Sequence, residues 1–298
     1  MTIQGLQGSG TFAHAVSLTN TEVNTSNCCL FGAGGSILLQ ADHIGLNQST
    51  LNASGGLDVA GELITLVSRG GLDIRNSSLV TTSGSNARFG GTIDLNAGTH
   101  INLTGTIIDA HARDSGGGSI TMAASVISLR GSRFDVGGAN DFHPISTITL
   151  TGTRAVCLSN GTVLSADGLF RGGTIQINGG ARFTSRQSTI SAHQGIDTGS
   201  AIQPGGTIQV KATTVKLVDT QLTTSTSGGP QSVGGSITVE AHKVKLKDSQ
   251  ILSTATEGHG GTIAITSPVL NRHGGSVINA SSQSGTNGTV IINGIFQP

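Results

Sequence analysis

Gly234-Gly235-Ser236-Ile237-Thr238-Val239-Glu240-Ala241 opens a stretch that runs on through Val244, Leu246, Asp248-Ser249 and Ile251 to Ser253, and its reading decides the fold. Ile237, Val244 and Ile251 stand seven residues apart, and each has a partner two residues further on: Val239, Leu246 and Ser253. A period of two is the side-chain period of a strand. The stretch therefore predicts three short strands separated by tight turns. Its Gly-Gly-Ser/Thr-Ile opening returns at Gly34, Gly90, Gly117, Gly172, Gly205 and Gly260, at 26 to 33 residues where copies are consecutive. A unit repeated at that interval is the mark of a solenoid.

The same triple recurs at Ile37, Ile44 and Leu51, at Ile120, Ile127 and Phe134, and at Ile208, Val215 and Leu222. Looser copies fill the gaps: Ile64, Leu66 and Leu79; Ile93, Ile101 and Ile108; Ile148, Val156 and Leu164; Ile175, Phe183 and Ile190; Ile263, Val269 and Ile278. Half a unit precedes them at Val16, Leu18 and Val23, and Val290-Ile291-Ile292 closes the chain. The expected fold is all-β, a right-handed, single-stranded parallel β-helix of about ten three-strand coils forming one domain over residues 1–298. A single coil buries too few aliphatic side chains to offset the entropy of ordering its backbone, so stability has to come from stacking.

The turns are read in the same way. Asn47-Gln48-Ser49, Asn76-Ser77-Ser78, Asp219-Thr220 and Asp248-Ser249 follow the second strand, and such residues bond local backbone or accept left-handed geometry. The Gly-Gly pairs are expected to supply positive dihedrals before the first strand. Length varies between the third strand and the next Gly-Gly, as in Asp135 to Pro144 or Ala192 to Pro204, which marks the corner where loops are tolerated. Register alone predicts that Lys211 lies beside Glu240, and that Lys216 and Lys245 share one outward column.

Composition limits the functional classes. The 298 residues include 46 Gly, no Trp and no Tyr, with 16 basic and 16 acidic residues. A net charge of zero gives no electrostatic reason to expect nucleic acid or an anionic membrane as partner. The apolar runs, Cys28-Cys29-Leu30-Phe31 among the longest, fall far short of a membrane helix. The start, Met1-Thr2-Ile3-Gln4-Gly5, has neither the basic nor the apolar region of a secretory signal. Cys28, Cys29 and Cys157 form no disulfide or zinc pattern and read as free thiols.

The sequence offers no catalytic, cofactor-binding or metal-ligating residues. Gly258-His259-Gly260 resembles one short motif of polygalacturonases, parallel β-helix enzymes that also carry an Asn-Thr-Asp triplet, an Asp-Asp pair and an Arg-Ile-Lys triplet, none of which occurs here. Without paired carboxylates there is no acid and base for glycoside hydrolysis, and His259 reads as a loop residue before a Gly-Gly turn. The acidic residues are scattered singly, which does not suit a calcium-dependent lyase. His43 and His100 hold equivalent positions before their second strands, but an intervening coil should keep them about 10 Å apart, too far to share a metal. Every Gly-Gly precedes a strand, unlike a nucleotide-binding loop. Thr81, Thr82, Thr223, Thr224 and Thr226 are too irregular for a flat ice-binding array.

The repeats Gly34 to Ala41 and Gly234 to Ala241, with their Asn/Asp-Ser/Thr turns and the Ser/Thr-rich third strands of Thr220 to Ser225 and Ser249 to Thr254, resemble the repeat region of filamentous haemagglutinin-type exoproteins. The opening Ile3 to Thr11 is similar to segments far inside such proteins. That resemblance implies a surface-exposed or released adhesin, associated with the outer membrane and exported by an outer-membrane β-barrel transporter of two-partner secretion. The family's signal peptide and N-terminal secretion domain have no counterpart here, and a first strand at Thr2 to Gln4 without a cap points to a C-terminal section of a longer exoprotein rather than a degenerate reading frame. The expected function is a structural, adhesive stalk meeting carbohydrate or a cell surface through its outer faces and the loops Asn140 to Pro144 and Ala192 to Pro204. The alternatives are a polysaccharide-active enzyme of the pectin lyase-like class and a passive spacer.

Overall fold

A computed structural model describes residues 2–3, 13–27, 34–56, 59–84, 89–112, 116–138, 146–195 and 204–297. The described residues form a parallel β-helix, and every strand pairing joins one coil to the next in parallel. The first and second strands of the coils make up one 15-stranded sheet, and the third strands a 10-stranded sheet. The half unit at Val16, Leu18 and Val23 is a true coil, in register with Ile44, Leu46 and Leu51 of the next. Thr2–Ile3, beside Leu38 and Leu39, serves as its first strand.

Ile37, Ile64, Ile93, Ile120, Ile148, Ile175, Ile208, Ile237 and Ile263 stack rung on rung, each 1% exposed or less. A β-branched side chain suits this position, because its restricted rotamers already match a pleated surface. Burying each one removes about 1.5–3 kcal/mol of apolar surface cost. The second-strand and third-strand columns, such as Ile127, Val156, Phe183 and Val215 or Phe134, Leu164, Ile190 and Leu222, complete the core and are fully buried.

Two expectations about the coil need correction. In six coils the first two strands are one continuous strand, as in Thr207–Val218 and Ser236–Lys247, rather than two strands with a turn between them. The corner is made by a slip in the alternation: Ala212 points inward, Thr213 and Thr214 follow without a buried residue, and Val215 resumes the inward phase. Four residues after every isoleucine of the ladder stands a small residue (Ala41, Ser68, Ala97, Ala124, Gly152, Gly179, Ala212, Ala241 and Ser267), which leaves room inside the bend. In the tenth coil Leu270, not Val269, pairs with Val244 and is the buried residue. Val269 aligns with Lys243 in the outward phase.

The Gly-Gly pairs do not supply positive dihedrals, since the positive-φ glycines among the described residues are Gly105, Gly131, Gly161, Gly180 and Gly274. Close approach explains the pairs instead. A Cβ on Gly206 would lie 2.2 Å from the Gly173 carbonyl oxygen, and one on Gly235 only 2.0 Å from that of Gly206. The left-handed residues sit after the second strand, at Asn20, Asn76, Asn160, Asp219 and Asp248 among others. In the second coil Gln48 takes that role at φ 50 while Asn47 remains in its strand.

Candidate functional surface

Each coil presents three outward faces, and each face is set by the register below it. On the first-strand face, Thr65, Asp94, Thr121, Thr149, Gln176, Gln209 and Thr238 form one outward column. Beside it a shallow groove of about 410 Å3 is lined by Thr149, Thr151, Gln176, Asn178, Gln209 and Glu240 together with Lys211. Lys211 and Glu240 are register partners, with Nζ and Oε2 3.3 Å apart, as their spacing predicts. Burial raises the Asp94 carboxyl above its ordinary value, against a hydrogen bond with Thr121 that works the other way.

The second-strand face changes character along the rod. Near the N-terminal end His43, Gly71 and His100 share one column, two rungs from histidine to histidine, as expected. Both rings cover glycine: a Cβ on Gly70 would lie 2.6 Å from His43 Cε1, and one on Gly71 2.2 Å from His100 Cε1. His100 Nε2 lies 3.2 Å from Asp73 Oδ2, and Asn102 Nδ2 donates to Asp73 Oδ1 at 3.0 Å. Burial pushes the Asp73 carboxyl up, but these hydrogen bonds, together with the charges of His100 and Arg75, outweigh it and hold the group below its ordinary value. Among the described residues no three His, Cys, Asp or Glu side chains group as metal ligands would.

Toward the C-terminal end the same face is cationic. Arg182, Thr184 and Arg186 lie over Thr214, Lys216 and Val218, which lie over Lys243, Lys245 and Lys247. Lys216 and Lys245 are thus direct register partners, as expected, and they belong to a larger cationic group. The neutral chain hides the asymmetry behind it. Residues 1–150 carry six basic and ten acidic side chains, and residues 151–298 carry ten and six.

The third-strand face is mostly occupied with its own backbone. Asn24, Asn52, Asp109, Asp135 and Asn279 end their third strands, and the side-chain oxygen of each accepts from the backbone N–H two residues on. Two of the acidic residues that look scattered in sequence, Asp109 and Asp135, thus cap strand ends one coil apart. His111 Nδ1 lies 2.6 Å from Asp109 Oδ1, and that hydrogen bond raises the imidazole pKa above its ordinary value against the opposing effect of burial.

His259 is an exposed loop residue in a one-residue bridge to Val233, as its sequence context predicts. Cys157 is a free, half-buried thiol on the second-strand face, aligned with Ser128 and Thr184. Cys28, Cys29, the loop Asn140 to Pro144, residues 196–203 of the Ala192 to Pro204 loop and most of the Ile3 to Thr11 opening lie outside the described residues. Compared with family models, curated proteins and solved structures, the chain finds no match in any of the three.

Proposed function

We propose that this β-helix is the structural, adhesive stalk of a haemagglutinin-like exoprotein. In this reading the rod is displayed at the cell surface or released, after an outer-membrane β-barrel partner has exported it through a secretion domain upstream. The observation that supports it best is the division of labour within each coil. The inward columns stay aligned from coil to coil, with changes of no more than one residue at the two inner corners, while the large length variation falls at the corner after the third strand. Such a rod spaces and displays its outer surface without needing a reaction centre. The charged side chains of the first-face groove, Lys211 and Glu240, neutralise each other, which suits a display surface better than acid-base chemistry.

The test is a fractionation blot of producing cells with an antibody against this segment, paired with an adhesion assay. A band well above the 29.9 kDa of the chain at the surface or in the medium is expected, with adhesion reduced when Asn140–Pro144 and Ala192–Pro204 are excised. A band confined to the cell interior contradicts the exported stalk, and adhesion unchanged without both loops removes them as the contact.

A further inference from the structure

We propose that the cationic second-strand face near the C-terminal end is a binding site for a linear polyuronate, an acidic polysaccharide bearing one carboxylate per sugar. Arg182, Arg186, Lys216, Lys243, Lys245 and Lys247 come from three consecutive coils and share one face. None of the six has a carboxylate within ion-pair distance among the described residues. The nearby acids are engaged elsewhere. Glu240 pairs with Lys211 on the first face, and Asp248 Oδ1 accepts from the Gly275 N–H at 2.9 Å. Asp219 and Asp248 stand one coil apart in the turns directly beside the patch, and neither forms an ion pair with it among the described residues.

Alternate residues along a strand lie about 6.7 Å apart and rungs about 4.8 Å apart, so the cations occupy a flat area of roughly 13 by 10 Å. Register forces like charges together here, because Lys216 sits directly over Lys245. Like charges opposite each other in a sheet are unfavourable. A polyanion lying across the rungs relieves that repulsion at several points at once.

Sugar suits the surface better than lipid or nucleic acid. Thr184 and Thr214 place hydroxyls between the cations, where they can bond sugar hydroxyls. The exposed large apolar side chains among the described residues, Leu63, Ile107, Leu169, Val277, Val290 and Ile291, all lie elsewhere, so nothing on the patch inserts into a bilayer. The chain has no Trp or Tyr to stack a base. The inference rests on the stalk reading only for where the ligand would be met. Binding in solution tests the face itself, and the fractionation blot tests the stalk.

The experiment measures binding of the whole chain to polygalacturonate, with dextran as the neutral control, across a salt series. Binding to polygalacturonate alone is expected. Replacing Lys243, Lys245 and Lys247 together by Gln should weaken it about tenfold or more and reduce the salt slope by roughly half. A second variant, Arg182→Gln with Arg186→Gln, should weaken it too, so a fold defect in one variant leaves the other as a test. Lys211→Gln, on the first face, should change nothing. Equal binding by both multiple variants, equal retention on dextran, absence of binding, or preference for phosphatidylglycerol vesicles or duplex DNA over polygalacturonate would each overturn the proposal.

Discussion

The corner after the second strand and the corner after the third solve the same problem, reversing direction between stacked strands, by opposite means. At the first of these, the residue immediately before each third strand is a hydroxyl in every coil: Thr21, Ser49, Ser77, Thr106, Ser132, Thr162, Ser188, Thr220, Ser249 and Ser276. Each accompanies a left-handed turn and donates back to a carbonyl two or three residues earlier, as Ser49 Oγ does to Asn47 O at 2.9 Å and Ser276 Oγ to His273 O at 2.7 Å. Several also accept from the coil before, Thr220 N–H to Ser249 Oγ at 3.2 Å for example. The hydroxyls therefore bond both within and between rungs, and the corner varies by no more than one residue.

At the other corner the fixed parts are the neck and a ladder of one-residue bridges just past the third strand, Gly138, Gly168, Gln194, Thr226 and Ala255. The N–H of a glycine donates to a carbonyl just past the third strand at 2.7–2.8 Å, Gly173 to Ala166, Gly206 to Ala192 and Gly235 to Thr224. Six residues lie between the two bonded positions in the first case and thirteen in the second. The lesson is that a β-helix needs rigid rungs but not uniform coils. A loop of any length is harmless once its two ends are pinned, because the closure cost rises slowly with length.

The sharpest way to break this contrast is at a neck. Gly235→Val places a branched side chain where even a Cβ lies 2.0 Å from the Gly206 carbonyl oxygen. A loss of about 3 kcal/mol or more, or failure to fold, is expected in denaturant unfolding. A neutral result would mean that close contact with the preceding rung is not what requires glycine there. Next in size is the hydroxyl corner. Thr220 is 2% exposed, with Oγ1 2.9 Å from Val218 O and 3.0 Å from Ser185 Oγ, so Thr220→Val should cost about 1–3 kcal/mol despite equal volume.

Beyond the neck the effect should nearly vanish. Inserting Gly-Ser-Gly-Ser between Gly228 and Gly229, outside the hydrogen-bonded turn from Gly229 to Ser232, should lower stability by less than about 1 kcal/mol. A loss as large as that of Thr220→Val would abolish the distinction between the corners. The smallest effect concerns His111, in the loop corner after Ile107–Asp109. Its pKa is raised in the fold, so the folded chain binds the extra proton, and the Asp109 contact contributes fully below the ordinary histidine value of 6.5. That contribution is lost as pH rises through the higher folded value. The gap in stability between the parent chain and His111→Ala should therefore narrow between pH 5.5 and 8.5, by under about 1 kcal/mol for so exposed a pair. A gap independent of pH would show that the pair has no energetic weight.

Much of this was legible in the sequence because the inward columns obey a single period. Ile208, Val215 and Leu222 announce their strands within one coil, and adding the repeat length finds Ile237, Val244 and Ile251, and Lys211 beside Glu240. What stayed hidden depends on geometry between coils. The Gly-Gly pairs look like flexible turns until the carbonyl of the preceding rung is seen against them. Val269 and Leu270 are both apolar, and only pairing with Val244 selects Leu270. Arg182, Lys216 and Lys245 stand about thirty residues apart from one to the next, so a neutral total concealed a cationic face.

The central claim, one rung per repeat in constant register, is tested most directly by distances between paired nitroxide labels on the first-strand face. Thr65 and Gln176 are four rungs apart, as are Thr121 and Thr238, and Thr65 and Thr238 are six. At about 4.8 Å per rung, the two four-rung pairs should give the same separation of about 19 Å and the six-rung pair about 29 Å, each as a narrow distribution. Unequal four-rung distances, or a six-rung distance that does not exceed them by two rungs, would contradict the stacked register.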